Sequence, residues 1–301
     1  VAERSPAARM VRRWVLHPAL GVFSLLVFGL FRILPVDAAS ALGGAAARLI
    51  GPKTRADKTA RRNLARAFPD KSTGDIDGIM RGLWDNLGRT VAEYPHLARI
   101  PAIGPDSRVE VIDPEIITET AKQGGPMIIL SAHMANWEIS AKAATDYGVQ
   151  FSGIYRAASN PIVERLMLDC RKEVYTEMLP KGRDGAKATV KVLVSGNRLG
   201  VLIDQKMNEG EPIPFFGRDA MTATSPAELG LRFGAPLIPV RVERLDGVHF
   251  RITVHPPVQV PEEGDRKSKA RAMMTEVNAL LESWVRERPE QWFWVHRRWP
   301  D

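Results

Sequence analysis

The sequence predicts an α/β fold: an open mixed sheet flanked by helices, preceded by an N-terminal membrane-anchor helix. Three observations lead there. From about residue 108, short apolar runs alternate with helical segments, and two of the runs, MIILS at 127–131 and GVLI at 200–203, suit buried strands. Residues 18–34 read PALGVFSLLVFGLFRIL, interrupted only by Arg32. Apolar residues make up 45% and charged residues 26% of 301, enough for a sizeable core and too apolar for wholesale disorder. The length allows two units, with residues 1–52 as anchor and small-residue helix and 53–301 as the α/β domain.

The apolar stretch reaches about 25 Å as a helix, slightly short of a hydrocarbon core of about 30 Å. Arg4, Arg9, Arg12 and Arg13 precede it, which would keep the N-terminus on the cytoplasmic side. Three readings fit: a signal peptide cleaved near Ala39-Ser40-Ala41, a buried soluble helix, or a retained anchor that spans or lies in the interface. The retained anchor is the expectation adopted, with Arg32 snorkelling toward headgroups.

A small-residue helix follows from Ala38 to Ile50, closed by Gly51-Pro52. The next helix carries Arg55, Lys58, Arg62 and Arg66 at spacings that stack them on one face, with Leu64 and Phe68 opposite. That stripe is either a solvated face or a surface for anionic headgroups. Strands are expected at Val109–Ile112, Met127–Ser131, Phe151–Tyr155, Gly200–Ile203, Leu237–Arg244 and Phe250–Val254. Helices are expected at Pro114–Gln123, Asn136–Asp146, Pro161–Tyr175, Lys187–Val194, Ser225–Phe233 and Lys267–Glu287. Pro226 at the first position of its helix, after Ser225, is a typical start.

Forty-two Lys and Arg against 35 Asp and Glu leave +7, which favours an anionic partner. The single cysteine, Cys170, excludes an intramolecular disulfide framework and a Cys-only zinc site. No helix-turn-helix, RNA-recognition or zinc-finger pattern is present, so nucleic acid is not expected as a partner. There is no G-x-S-x-G elbow, H-E-x-x-H pair or P-loop, and no residue is placed as a covalent nucleophile.

The chemistry concentrates in Ser131-Ala132-His133-Met134-Ala135-Asn136-Trp137-Glu138, directly after a strand. On one regular helix His133 and Glu138 would lie about 140° apart. They meet only if His133 sits on the strand-to-helix turn and Asn136 caps a helix whose first turn holds Glu138. A carboxylate beside an imidazole fixes its tautomer, leaving the other ring nitrogen as a base. The same residues also suit a capping His and a first-turn Glu with no chemistry.

The segment resembles the H-x4-[DE] signature of the lysophospholipid acyltransferase superfamily, and more closely its bacterial lipid A lauroyl/myristoyl acyltransferase branch. Further segments agree in order: Arg62-Asn63-Leu64 with Phe68-Pro69; Tyr155-Arg156 with Asn160-Pro161; Asp204-Gln205; Pro214-Phe215-Phe216-Gly217; Pro236 and Pro239; and Pro289-Glu290-Gln291-Trp292 with Trp294-x-His296-Arg297-Arg298-Trp299. Asp204-Gln205-Lys206 stands where glycerophosphate acyltransferases carry an E-G-T-R-type block, which disfavours that branch.

The resemblance implies an O-acyltransferase in lipopolysaccharide biosynthesis, at the cytoplasmic face of the bacterial inner membrane. The donor would be a thioester of acyl carrier protein, or acyl-CoA. The acceptor would be a hydroxyl of a lipid A precursor, and no cofactor or metal is implied. His133 and Glu138 would form the general-base pair, with Arg156, Asp204, Gln205 and Asn136 binding substrate. Another lipid acceptor (lysophospholipid, mannoside or ornithine-type), or a non-catalytic lipid-binding role, are the alternatives. The tryptophan-rich ending reads as core or interfacial packing, with His296 structural.

Overall fold

The computed structural model describes residues 17–299. The arginines at 4, 9, 12 and 13, on which the orientation of the N-terminus rests, lie outside the described residues. Among the described residues four helices come first: α1 (His17–Ile33), α2 (Val36–Ile50), α3 (Arg55–Ala67) and α4 (Thr73–Glu93). The boundary at residue 52 falls in a 3-10 turn, Gly51–Lys53. Helix α4 opens on a full capping box between Ser72 and Asp75. Helices α2 and α4 approach backbone to backbone, since a Cβ on Gly88 would lie 2.1 Å from the Gly43 carbonyl oxygen.

The α/β body follows as β1 (Val109–Ile112), α5 (Pro114–Lys122), β2 (Met127–Ser131), α6 (Ile139–Asp146), β3 (Ser152–Tyr155) and α7 (Pro161–Arg171). Then come β4 (Met178–Pro180), α8 (Arg183–Val194), β5 (Arg198–Leu202), a hairpin of β6 (Glu211–Phe215) and β7 (Arg218–Thr222), and α9 (Ser225–Phe233). Strands β8 (Leu237–Asp246) and β9 (His249–Val254) and helix α10 (Arg266–Glu287) complete it. The seven-stranded sheet runs β1-β9-β8-β2-β5-β3-β4, with the β6–β7 hairpin apart. Strands β8, β2, β5, β3 and β4 are mutually parallel, and β9 turns back antiparallel on β8. This is the mixed sheet expected from sequence. The central strand β2 is buried along its whole length, which is why it reads as an unbroken apolar run.

The expected strands and helices are all present, with shifted ends. The helix expected from Asn136 begins at Ile139, and that expected to Tyr175 ends at Arg171. Strand β4 and the β6–β7 hairpin, with prolines in both segments, carried no clear strand pattern. The four tryptophans at 284, 292, 294 and 299 are all buried, packing as core.

Among the described residues, no helix is long and apolar enough to cross a membrane. Helix α1 nonetheless leaves Leu20, Phe23, Leu26, Leu30 and Ile33 exposed along one side, Ile33 at 79%. Leu42, Leu49 and Ile50 of α2 and Val91 of α4 are exposed as well.

Candidate active site

Parallel β2 and β5 deliver their C-terminal ends to one edge of the sheet, the edge where open α/β folds place their chemistry. His133 lies two residues past β2 and Asp204 two residues past β5. The His133 ring donates from Nδ1 to Asp204 Oδ1 at 2.7 Å, and its backbone N–H donates to Oδ2 at 3.0 Å. The Trp292 indole N–H donates to the same Oδ2 at 2.8 Å.

Asp204 is fully buried, which by itself would push its carboxyl up; the His133 imidazole, with His296 and the His133 backbone N–H, outweighs burial and holds it well below the usual carboxylate range. An ionised Asp204 only accepts, so Nδ1 carries a proton, and in the neutral ring Nε2 keeps its lone pair. The Gln205 amide nitrogen stands 3.4 Å from that Nε2. The His133 side chain is 17% exposed, open enough for a substrate hydroxyl to reach it.

Sequence reasoning paired His133 with Glu138, and the structure pairs it with Asp204. Glu138 is buried and takes its hydrogen bonds elsewhere. It accepts from the Tyr94 hydroxyl at 2.7 Å, the Trp137 indole at 3.0 Å and the Tyr175 hydroxyl at 3.0 Å, and the Arg171 guanidinium forks onto it. Burial raises its carboxyl, but Arg171 and these donors prevail and lower it. The Arg171 guanidinium is held correspondingly more firmly in its charged form, against its own burial. The five-residue spacing brings Glu138 under Trp137, whose ring stands edge-on to His133 with centroids 5.0 Å apart. Glu138 thus orients a neighbour of the imidazole rather than the imidazole itself.

The turn between β2 and α6 is unusual. Ala135 adopts φ +50°, a left-handed conformation that a side chain disfavours by about 1–2 kcal/mol. Its carbonyl accepts from Asn86 and Thr90 of α4, and its N–H donates to the Gln291 carbonyl. Asn136, expected on the substrate side, is fully buried and donates from its amide to Glu93 at 2.9 Å. Glu93 in turn is forked by the buried Arg244 and accepts from Ser40. Arg156 is where sequence reasoning put it, exposed just past β3 at the same sheet edge.

The ending contributes more than packing. Besides Trp292, Phe293 lies 5.6 Å from the His133 ring. Arg298 is fully buried over the Phe215 ring and donates to the Met221 carbonyl and the Thr222 hydroxyl; burial pushes it down to about 10. The resemblance had singled out this segment, but nothing in it announced an indole aimed at Asp204. Tyr94, Arg171 and Tyr175 left no sequence signal at all.

Trp137 and Phe293, which flank the imidazole, also wall an apolar groove of about 520 Å³. Phe31, Ile50, Leu87 and Val91 line it further out, and Gly43, Ala47, Gly51 and Gly88 form a floor of small residues. The groove therefore runs from the two rings beside the imidazole to the side of the molecule bearing the exposed apolar residues of α2 and α4. Its volume and almost wholly apolar lining suit a fatty chain.

The model of one family, bacterial lipid A biosynthesis acyltransferase, matches residues 1–301. The lipid A biosynthesis lauroyltransferase of Escherichia coli is 27% identical over 297 residues, covering 95% of this chain and 92% of that one. The lipid A biosynthesis myristoyltransferase of the same organism is 26% identical over 252 residues, 80% of this chain and 75% of that one. A phosphatidylinositol mannoside acyltransferase of Mycolicibacterium smegmatis is 23% identical over 279 residues, 90% and 88% of the two chains. The crystal structure of a 1-acyl-sn-glycerophosphate acyltransferase from Thermotoga maritima overlaps with a TM-score of 0.40 at 12% identity, covering 86% of this chain and 96% of that one. With the family model spanning its whole length, this chain belongs to the bacterial lipid A biosynthesis acyltransferases.

Proposed function

We propose that this acyltransferase moves a fatty acyl chain from an acyl carrier protein thioester to a hydroxyl of a lipid A precursor, with His133 as general base. The observation that carries the reading is the His133–Asp204 pair, whose imidazole stands beside the Trp137 and Phe293 rings that wall an apolar groove. The acceptor hydroxyl gives its proton to Nε2 as its oxygen attacks the thioester carbonyl. Buried Asp204 stabilises the imidazolium that forms. Collapse of the tetrahedral intermediate breaks the C–S bond, and the departing thiolate takes the proton back from Nε2. The acyl chain lies in the groove between Trp137 and Val91 throughout.

Arg156, exposed at the sheet edge, is suited to grip an acceptor phosphate or the oxyanion through its planar fork. Gln205 holds the imidazole edge from the side opposite Asp204. Glu138 acts as a positioning residue through Trp137, and Asn136 supports the turn from beneath. The exposed stripe of α1 seats the protein on the cytoplasmic face of the inner membrane, lying in the interface with its arginine near headgroups.

The test is to incubate purified protein with acyl carrier protein thioesters and compare a lipid A precursor with lysophosphatidate as acceptor. Preferential acylation of the precursor, lost in His133→Ala, is the expected result. Faster acylation of lysophosphatidate would replace the acceptor, and a fully active His133→Ala would remove the mechanism.

A further inference from the structure

Helix α3 presents Arg55, Lys58 and Arg62 to solvent, with Arg66 half-buried at the end of the same face. Its one carboxylate, Asp57, is turned inward, accepting from the Trp84 indole at 2.9 Å and from Arg61 at 2.8 Å. The helix itself contributes no second carboxylate; the exposed Asp77 of α4 pairs with Arg61 at 2.6 Å. At about 1.5 Å per residue the helix is some 20 Å long. Its near end touches the apolar groove, which Gly51 and Thr54 help to line.

Its far end opens into a second cleft, of about 570 Å³, between α3, the β6–β7 turn and the end of α10. Arg66, Lys71, Arg218 and Arg286 line that cleft, with Asp70 the one acid among its lining residues. Phe68 and Phe216 wall it, with the Lys71 ammonium 5.3 Å from the Phe68 ring and the Arg286 guanidinium 4.5 Å from the Phe216 ring. Phe216 is held at φ +53°, its N–H donating to Glu282, which also pairs with Arg286. The two segments Phe68-Pro69 and Phe216-Gly217, far apart in sequence, meet here.

We infer that the α3 stripe and this cleft together form the docking surface for the acidic carrier protein that delivers the thioester, placing its flexible arm over the groove. The inference rests on the carrier-thioester donor proposed above. Charge complementarity favours a protein over a lipid surface here. A helix that lies in a membrane pairs its cations with exposed apolar side chains. No large apolar residue is exposed between Gly51 and Thr90, and the apolar residues of α3, Ala60, Leu64 and Ala67, all face inward. The exposed apolar side chains sit instead on α1, α2 and Val91.

The experiment compares two donors of equal chain length on the full-length protein: a lauroyl carrier-protein thioester and lauroyl-pantetheine, which keeps the thioester but has neither protein nor charge. Lys58→Glu, Lys71→Glu and Arg218→Glu are combined in one variant, and the same three positions are changed to Gln in a milder second. The KM for the carrier thioester should rise about tenfold or more, with kcat nearly kept and the pantetheine KM within about twofold of wild type. In wild type, added salt should raise the carrier KM alone. Equal loss with both donors would overturn the docking role. So would an unchanged carrier KM together with lost binding to phosphatidylglycerol vesicles, which would make the stripe a membrane face. A wild-type enzyme that does not prefer the carrier thioester would instead remove the donor reading, and it would do so before any variant is made.

Discussion

His133 and Asp204 extend the ladder between β2 and β5 by one more rung on the same side. Each paired residue of these strands is 71 positions from its partner, from Met127 with Arg198 to Ser131 with Leu202, and His133 stands 71 positions from Asp204. The Ile203 N–H still donates to the Ser131 carbonyl at 3.0 Å, so the pairing persists past the last formal strand residue. The acid–base pair is thus placed by sheet register, which fixes backbone positions more tightly than a loop does.

Exchanging the two buried carboxylates separates their roles. Asp204→Asn removes the charge that stabilises the imidazolium and disturbs the tautomer, so kcat should fall by about 10²–10⁴ with KM little changed. Glu138→Gln leaves Arg171 buried without its counter-charge and should destabilise by about 3–5 kcal/mol, with the smaller kcat loss of the two at a temperature where it is folded. Initial rates and denaturant melts of both variants check this. A larger kcat loss in folded Glu138→Gln would make Glu138 the acid partner of His133 after all.

Trp292→Phe keeps the ring in the core and deletes one donor to Asp204. A hydrogen bond to a buried charge is worth roughly 1.5–3 kcal/mol, so kcat should drop about tenfold while KM for both substrates holds. Trp294→Phe, whose indole donates to the Pro289 carbonyl instead, serves as the control and should retain most activity. Equal losses in the two would assign Trp292 to packing alone.

The sheet was legible in the sequence because β2 and β5 carry apolar runs that suit burial, while β8 and β9 place apolar β-formers at alternate positions. Neighbour order was not, since nothing in MIILS or GVLI says that the two strands lie side by side. For that reason Asp204 read as a substrate ligand, and Glu138, close in sequence, took its place beside His133. Helix α4, at 73–93, escaped notice because its apolar stripe is diluted by four glycines, at 74, 78, 82 and 88, and by charged residues. Those apparent weak points face open space or neighbouring chain: a Cβ at Gly82 would meet the Glu290 side chain at 2.6 Å. The left-handed Ala135 was equally invisible, because alanine carries no turn signal.

Direct transfer predicts that donor and acceptor are bound together. Initial-rate plots should intersect, and no acyl-enzyme should accumulate in rapid-quench mass spectra. Cys170 has its thiol pushed up by burial to about 11, so it is not a ready nucleophile, and Cys170→Ser should keep near wild-type rates. Parallel lines, or an acyl adduct on any side chain, would refute this.

Acid stability follows from the depressed carboxyls of Asp204 and Glu138. A carboxyl lowered in the folded state contributes its stability fully above the unfolded range, near pH 4, and loses it as pH falls toward the folded value. The melting temperature should therefore decline below about pH 4.5, and Asp204→Asn should decline less steeply than wild type. Scanning fluorimetry across a pH series reads the difference; superimposable slopes would mean Asp204 is not proton-linked to folding.

The turn that bears the imidazole is closed by Gln291 and Trp292, which belong to the final segment of the fold. During synthesis the strands β2 and β5 emerge long before these residues do. Until the tail docks, Ala135 lacks the carbonyl that accepts its N–H, and Asp204 lacks its indole donor. The surroundings of the His133–Asp204 pair are therefore completed only when this segment docks. A protein clipped before Gln291 would lose the Phe293 wall of its groove together with the indole donor to Asp204.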